Sequence, residues 1–566
     1  MEINKAQHDA IIHKDGPAMI LAGPGSGKTT VIVKRTEYLI RHHQIPPANI
    51  LVITFTKAAA REMKERFQQV VEGNLPVWFG TFHAVFFSIL KHAYHYTGAN
   101  ILKAEQKREI FQTLLYQKQL DMEEETDFFE KLEGEISKVK TEQIPLENYY
   151  PICTSVDVFR HFFCGYEAEL RRRQLIDFDD MMLYCHELFL KRPDILAGWQ
   201  QKFQYILVDE FQDINQLQYT LVKMLAKPQN HLFVVGDDDQ SIYAFRGSKP
   251  EIMLNFEKDF PETKRILLDI NYRSDENIVK LSQHLISYNK VRFLKKIRAF
   301  HEPWTRVSLV KFAGIRQENE EIINHILSYR DMGIPLEEMA VIFRTNTQPQ
   351  ALVGKLMEKN IPFYMKDKIP NIFHHWIARD IITYLRIAGG SRQRKDFLRI
   401  MNRPLRYISR DSLESPEVDL EEVIDYYAGK RWMQERVEQL QYDLAFLQKL
   451  NPYAGIRFIR KGIEYDNYVK DYAAEHKVKE EDLFSVLEEV MESAREYNTV
   501  EEWFAYIDSY EQMLREQMEQ NHAMANTEGV SLVTMHSSKG LEYRVVFIMD
   551  ANEGITPYHK AVLDSD

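Results

Sequence analysis

The segment Ala22-Gly23-Pro24-Gly25-Ser26-Gly27-Lys28-Thr29 constrains this 566-residue chain more than any other stretch. An apolar run, Ala18-Met19-Ile20-Leu21, precedes it and reads as a short buried strand; a helical pattern from Thr29 to Ile40 follows. Strand, glycine-rich turn and a helix opened by Lys-Thr are the context that a phosphate-binding loop needs. Glycines let backbone N–H groups converge on phosphate oxygens, and the helix N-terminus adds partial positive charge. In that setting Lys28 reaches the β- and γ-phosphates, the Thr29 hydroxyl binds Mg²⁺, and Thr30 closes the loop's stretch. Ala22 stands where the strict pattern has glycine. The competing reading, a glycine-rich surface turn, leaves the flanking strand and helix unexplained.

Length implies about three or four domains. Hydrophobic content of 45% and charged content of 28% are those of a soluble globular protein. No apolar run approaches the roughly 20 residues of a membrane span, and Met1-Glu2-Ile3-Asn4-Lys5 lacks signal-peptide architecture. Cys153, Cys164 and Cys185 have no metal spacing to a His cluster, so a reduced, cytoplasmic setting is expected. A net charge of −12 argues against a generally basic nucleic-acid coat and leaves room for a local basic groove.

Strand-like segments fall in two groups. The first holds Ala18–Leu21, Ile50–Thr54, Tyr205–Val208, Leu232–Val235 and Ile266–Leu268; the second holds Val307–Phe312, Met339–Phe343, Val530–Thr534 and Val545–Met549. Helical patterns alternate with them, which predicts two α/β cores with mostly parallel sheets. Helical stretches interrupt both, from Lys91 to about Arg173 and from Trp376 to about Asn526. Glu516–Glu528 reads as a polar connector, and Arg171-Arg172-Arg173 as a solvated helix end.

Tyr205–Val208 ends in Asp209-Glu210-Phe211-Gln212-Asp213. An acidic pair after a strand is usually only a solvated strand end. Opposite a phosphate loop it takes on chemistry: Asp209 holds Mg²⁺ through water, and Glu210 orients and deprotonates the attacking water. Leu232–Val235 runs into Gly236-Asp237-Asp238-Asp239-Gln240, where Gln240 is placed to sense the γ-phosphate. Past Leu268, in Asn271-Tyr272-Arg273-Ser274, Tyr272 could stack on a base and Arg273 could neutralise transition-state charge. Singly, either block reads as a polar loop.

In this order the blocks resemble superfamily 1A helicases of the UvrD/Rep/PcrA type, across nearly the whole chain. Asn4, Gln7 and Ala10 match the family's adenine-reading block, with Gln7 as reader. Thr54-Phe55-Thr56 and Gly80-Thr81-Phe82-His83 look like its single-strand-contacting blocks, and Asp177-Phe178-Asp179-Asp180 and Val341–Asn346 match further ones. Val533–Glu542 looks like the block whose glutamate, here Glu542, contacts ribose. The Ala22 departure is common in the family. Lys57-Ala58 replaces the usual Asn-Lys, and Phe245 the usual stacking Trp.

The resemblance implies two RecA-like P-loop cores, each with an inserted mainly helical subdomain. The boundaries expected are 1–90 with 171–275 for the first core, 91–170 for its insertion, 276–375 with 527–566 for the second core, and 376–526 for its insertion. It implies ATP and Mg²⁺ as cofactors, single-stranded and partly duplex DNA as partner, and 3′→5′ movement as the cores close and open, with Arg273 at their interface. Phe55, His83, Tyr243, Phe245, Arg246 and His536 become DNA contacts, although burial habit alone makes Phe55 and Phe245 core residues.

The family's last block, with a second phosphate-contacting Arg, does not follow Asp550–Pro557 before the chain stops at Asp566. A fragment with an incomplete second core is therefore expected. Two alternatives stay open: an ATP-binding, turnover-impaired DNA-binding protein, and the helicase subunit of a helicase–nuclease.

Overall fold

The computed structural model describes residues 3–118, 125–244, 247–303, 306–346, 348–365, 371–476, 479–523 and 528–557. The chain divides into two compact units, Met1–Leu309 and Val310–Asp566.

The first unit is built on six strands: β1 (Ala18–Ala22), β2 (Ile50–Thr54), β3 (Trp78–Thr81), β4 (Tyr205–Val208), β5 (Leu232–Gly236) and β6 (Lys264–Leu268). They form one sheet in the order β3-β2-β4-β5-β1-β6. Every pairing in it is parallel, so all six carboxyl ends share one edge. The apolar runs are continuous because both faces are covered. Met19, Leu21, Leu51, Ile53, Ile206 and Val208 enter one hydrophobic cluster, while Ala18, Ile20, Ile50, Val52, Tyr205 and Leu207 enter the other. That period-two split is what a parallel sheet buried between helices requires.

The helices Ala104–Gln117, Glu125–Thr141 and Val156–Arg173 pack around a separate core that includes Phe111, Phe159, Phe162 and Tyr166. Arg171, Arg172 and Arg173 form the last turn of the third helix and pair with Glu167, Glu169 and Glu109, a solvated helix end. Two further strands, β7 (Ile270–Asp275) and β8 (Arg298–His301), pair with each other and keep residues 276–309 with the first unit. The division thus falls later than the boundary after 275 read from the sequence.

The second unit has a four-stranded parallel sheet of β9 (Met339–Phe343), β10 (Phe363–Met365), β11 (Val530–Thr534) and β12 (Val545–Ile548), ordered β10-β11-β9-β12. Its core is continuous with that of the helices between Trp376 and Ala523. Two expectations fail here. Val307–Phe312 is no strand, and Val307, Leu309 and Val310 are 54%, 92% and 57% exposed. Among the described residues it meets no strand edge, and β-propensity expresses packing against neighbours. Within the expected connector Glu516–Glu528, helix Val500–Ala523 continues through residue 523.

Candidate functional site

The segments that follow β4, β5, β1 and β6 leave the shared carboxyl edge side by side, because β5 lies between β4 and β1, and β6 flanks β1. This is where open parallel sheets bind ligands. The loop after β1 takes its shape from two glycines in the left-handed region, Gly25 at φ 64° and Gly27 at φ 83°. A Cβ on Gly25 would lie 2.7 Å from Arg273 Cβ and 2.8 Å from Asn271 Oδ1; one on Gly27 would lie 2.9 Å from Gln7 Nε2. Glycine is thus favoured at both positions by the backbone, and at Gly25 by its neighbours as well. The Tyr272 N–H donates to the Gly25 carbonyl at 2.9 Å, tying β7 to the phosphate loop. Asn271 Oδ1 accepts from the N–H groups of Arg273 and Ser274, both at 2.8 Å, where the pairing of β7 with β8 is irregular. Arg273 itself is exposed.

Lys28 opens helix Lys28–Arg41, and its Nζ lies 3.3 Å from Glu210 Oε1. Burial alone would depress this ammonium. The carboxylates of Glu210, Asp209 and Asp237 outweigh it and raise the pKa, so Lys28 is charged. Asp209 is buried at the end of β4, its N–H bonded to the Ile53 carbonyl at 2.9 Å. Glu210 has φ 50°, a conformation that non-glycine residues hold only under constraint from their surroundings. Gln212, fully buried, supplies part of that constraint: its Nε2 donates to Glu210 Oε2 at 2.6 Å, and its Oε1 accepts from the Asp237 N–H at 2.9 Å. Gln240 Nε2 donates to Asp237 Oδ2 at 2.7 Å.

Gln7 is buried. Its Nε2 donates to the Ser26 carbonyl at 3.0 Å, and its Oε1 accepts from the Asn4 N–H at 3.1 Å. Asn4 Nδ2 in turn donates to Tyr272 Oη at 2.9 Å. The expected adenine-reading residues are therefore joined to the phosphate loop and to β7.

These residues fit ATP and Mg²⁺. Gly25 and Gly27 leave the loop backbone without Cβ atoms, and the Ser26 hydroxyl is buried with no hydrogen-bond partner among the described atoms. Lys28 supplies fixed positive charge. The hydroxyl of half-buried Thr29 and the carboxylate of Asp209 are the hard oxygen donors that Mg²⁺ takes. Gly23 is buried, whereas Pro24 and Thr30 are exposed.

At the end of β2, Phe55 stacks on Tyr243, with ring centroids 5.6 Å apart and planes 12° apart; both rings are half-buried. His83 meets Phe178 edge-on at 5.2 Å. Burial and then Lys57 lower the His83 pKa, so it is a neutral ring near pH 7. Phe245 and Arg246 lie outside the described residues. His536, half-buried, and Glu542, exposed, belong to the second unit after β11.

The block Asp177–Asp180 has a structural role visible in its contacts. Asp177 caps helix Phe178–Lys191, and Lys140 of the helical insertion lies 2.8 Å from Asp177 and 2.6 Å from Asp180. Among two aspartates and Glu167 around one ammonium, Lys140 and Tyr166 hold Asp177 low, against its burial, while burial and Asp177 push Asp180 up. The roles of Gln212 and Asn271 are not legible in the sequence, although the two lie within the blocks Asp209–Asp213 and Asn271–Ser274. Nor are those of Arg292 and Lys295, which carry no local signal.

Two family models account for the chain. The UvrD/REP helicase N-terminal domain matches residues 3–261, and the UvrD-like helicase C-terminal domain matches residues 266–565. A putative ATP-dependent DNA helicase YjcD of Bacillus subtilis is 31% identical over 98% of this chain and 74% of its own length. The ATP-dependent DNA helicase PcrA of Staphylococcus aureus is 31% identical over 100% of this chain and 79% of its own. With a phosphate loop, acidic pair and glutamine assembled on one parallel sheet edge, and with both family domains spanning its length, this chain belongs to the UvrD/REP helicase family.

Proposed function

We propose that this protein is an ATP-dependent DNA helicase that translocates 3′→5′ along single-stranded DNA. The observation that carries the reading is the convergence of Lys28, Glu210 and Gln240 through Asp237 and Gln212. Bound Mg–ATP supplies the phosphoanhydride to be cleaved and the metal charge beside it. Lys28 and the loop N–H groups bind phosphate oxygens, while Thr29 and Asp209 hold the metal. Glu210 accepts the proton of the attacking water, Gln240 reads the γ-phosphate, and Arg273 neutralises charge that develops there. Gln7 reads adenine, Tyr272 stacks on it and Glu542 holds the ribose. Phe55, His83, Tyr243, Phe245, Arg246 and His536 contact the strand by stacking and backbone neutralisation. Polarity and a role in DNA repair or replication rest on the resemblance of the ordered blocks, and a cytoplasmic setting on the reduced cysteines; a protein loading partner remains to be identified by its binding.

The test compares wild type and Lys28→Ala for ATPase with and without single-stranded DNA, and for unwinding of duplexes with 3′ or 5′ tails. Stimulated turnover and 3′-tail unwinding by wild type alone are expected. Equal activity in the two proteins sinks the proposal, and preference for a 5′ tail refutes the direction.

A further inference from the structure

Three consecutive carboxylates, Asp237, Asp238 and Asp239, follow β5, and a segment outside every block of the nucleotide site neutralises them. Lys295 has 1% of its side chain exposed; its Nζ lies 2.5 Å from Asp237 Oδ1 and 2.9 Å from Asp239 Oδ2, and it also pairs with Asp238. Arg292 forms a two-pronged pair with Asp239 at 2.6 and 2.5 Å. The Phe293 N–H donates to Asp238 Oδ2 at 2.7 Å. The stretch Arg292–Lys295 is thus fastened to the loop that carries Gln240.

Asp237 is fully buried and uses its two oxygens in different directions. Oδ1 meets Lys295, and Oδ2 accepts from Gln240 Nε2 at 2.7 Å. Its N–H is held by Gln212 at 2.9 Å. A buried ion pair adds little net stability over an apolar pair, yet removing one partner strands the other. The use of such a pair lies in geometry: a carboxylate fixed at one oxygen offers the other in one direction. Without Lys295, Oδ1 of Asp237 loses the cation that fixes it, and Oδ2 is no longer offered to Gln240 in one direction.

We propose that Lys295 is a positioning residue for sensing the nucleotide's state. By anchoring Asp237 it keeps the Gln240 amide aimed at the γ-phosphate position, and so sets the preference for ATP over ADP. This rests on the reading of Gln240 given above.

The experiment uses the full chain. Dissociation constants of Mg–ADP and of a non-hydrolysable Mg–ATP analogue are measured by calorimetry for wild type, Lys295→Met, Lys295→Arg, Gln240→Ala and Lys295→Met/Gln240→Ala. Loss of one well-aimed polar contact corresponds to about tenfold in affinity. Lys295→Met is expected to lower the analogue-to-ADP preference about tenfold with ADP affinity within about twofold of wild type, and Lys295→Arg, which keeps the charge, to lose less of that preference than Lys295→Met. In the Gln240→Ala background Lys295→Met should add nothing, since both act through one contact. Equal weakening of both nucleotides, or additive effects, overturns the proposal. If Lys295→Met fails to fold, Asp237→Asn/Lys295→Met removes both charges together; it should still lose the preference, and keeping it overturns the proposal. Lys28→Ala is the control: if it binds both nucleotides as wild type does, the nucleotide-site reading fails instead.

Discussion

Gln212→Leu tests the coupling between the proposed general base and the loop after β5. Gln212 has no exposed surface, donates to Glu210 Oε2 at 2.6 Å and accepts from the Asp237 N–H at 2.9 Å. The substitution removes a hydrogen bond to a charged group, worth about 1.5–3 kcal/mol, and leaves a buried N–H unsatisfied for about 1–3 kcal/mol more. A total of about 2.5–6 kcal/mol follows. Spread over a first unit running from Met1 to Leu309, with an unfolding entropy of about 2.1 cal/mol/K per residue, that lowers its melting temperature by about 4–9 °C. Glu210 also loses its fixed direction while the phosphate loop stays intact. Misplacing a catalytic group by about 1 Å can cost about 10²-fold, so kcat should fall by ~10–10² with KM for ATP little changed. Calorimetric melting and DNA-stimulated ATPase read both effects. A melting temperature within about 1 °C of wild type together with unchanged kcat would refute the reasoning, as would a raised KM at full kcat.

Lys140→Met should destabilise the first unit by about 3–5 kcal/mol, because the carboxylates of Asp177, Asp180 and Glu167 lose their shared ammonium. Melting at pH 7 checks it, and lowering the pH should recover part of the loss as those carboxylates take protons. Burial raises the Glu489 carboxyl from 4.5 to about 8. The folded state thus holds that proton more tightly than the unfolded chain, so its stabilisation is complete below about pH 4.5 and lost as pH rises through about 8. The second unit should weaken by about 1–3 kcal/mol across that window, and Glu489→Gln should flatten the profile; an unaltered slope in the variant contradicts the assignment. Tyr243→Ala should weaken single-stranded DNA binding by about 1–3 kcal/mol, the worth of one base–aromatic stack. ATPase without DNA should stay as in wild type, and unchanged DNA affinity would remove the Phe55–Tyr243 pair from the strand's path.

Several strands were legible to the residue: Ile50–Thr54, Tyr205–Val208, Met339–Phe343 and Val530–Thr534. Each is a short apolar run between helical patterns, the signature of a strand covered on both faces. Trp78–Thr81 and Phe363–Met365 escaped notice because they are short and lie at sheet edges, the former interrupted by Gly80. Val307–Phe312 misled for the opposite reason, having a strand's composition and no partner strand among the described residues. Lys28, Asp209, Glu210 and Gln240 stand out in the sequence because each follows a strand closely; the strand order of the folded sheet then brings them to one edge.

By itself the sequence determined the local frames: which runs become strands, where glycine must take a left-handed φ, and which helix opens at Lys28. Those follow from backbone geometry within a few residues. Only the tertiary structure decided what holds the site's side chains. Asp237 and Lys295 are 58 residues apart, and Asn4 and Tyr272 are 268 apart. A buried charge or amide chooses its partner by distance in space after the sheet has formed, and neither periodicity nor spacing along the chain records that choice.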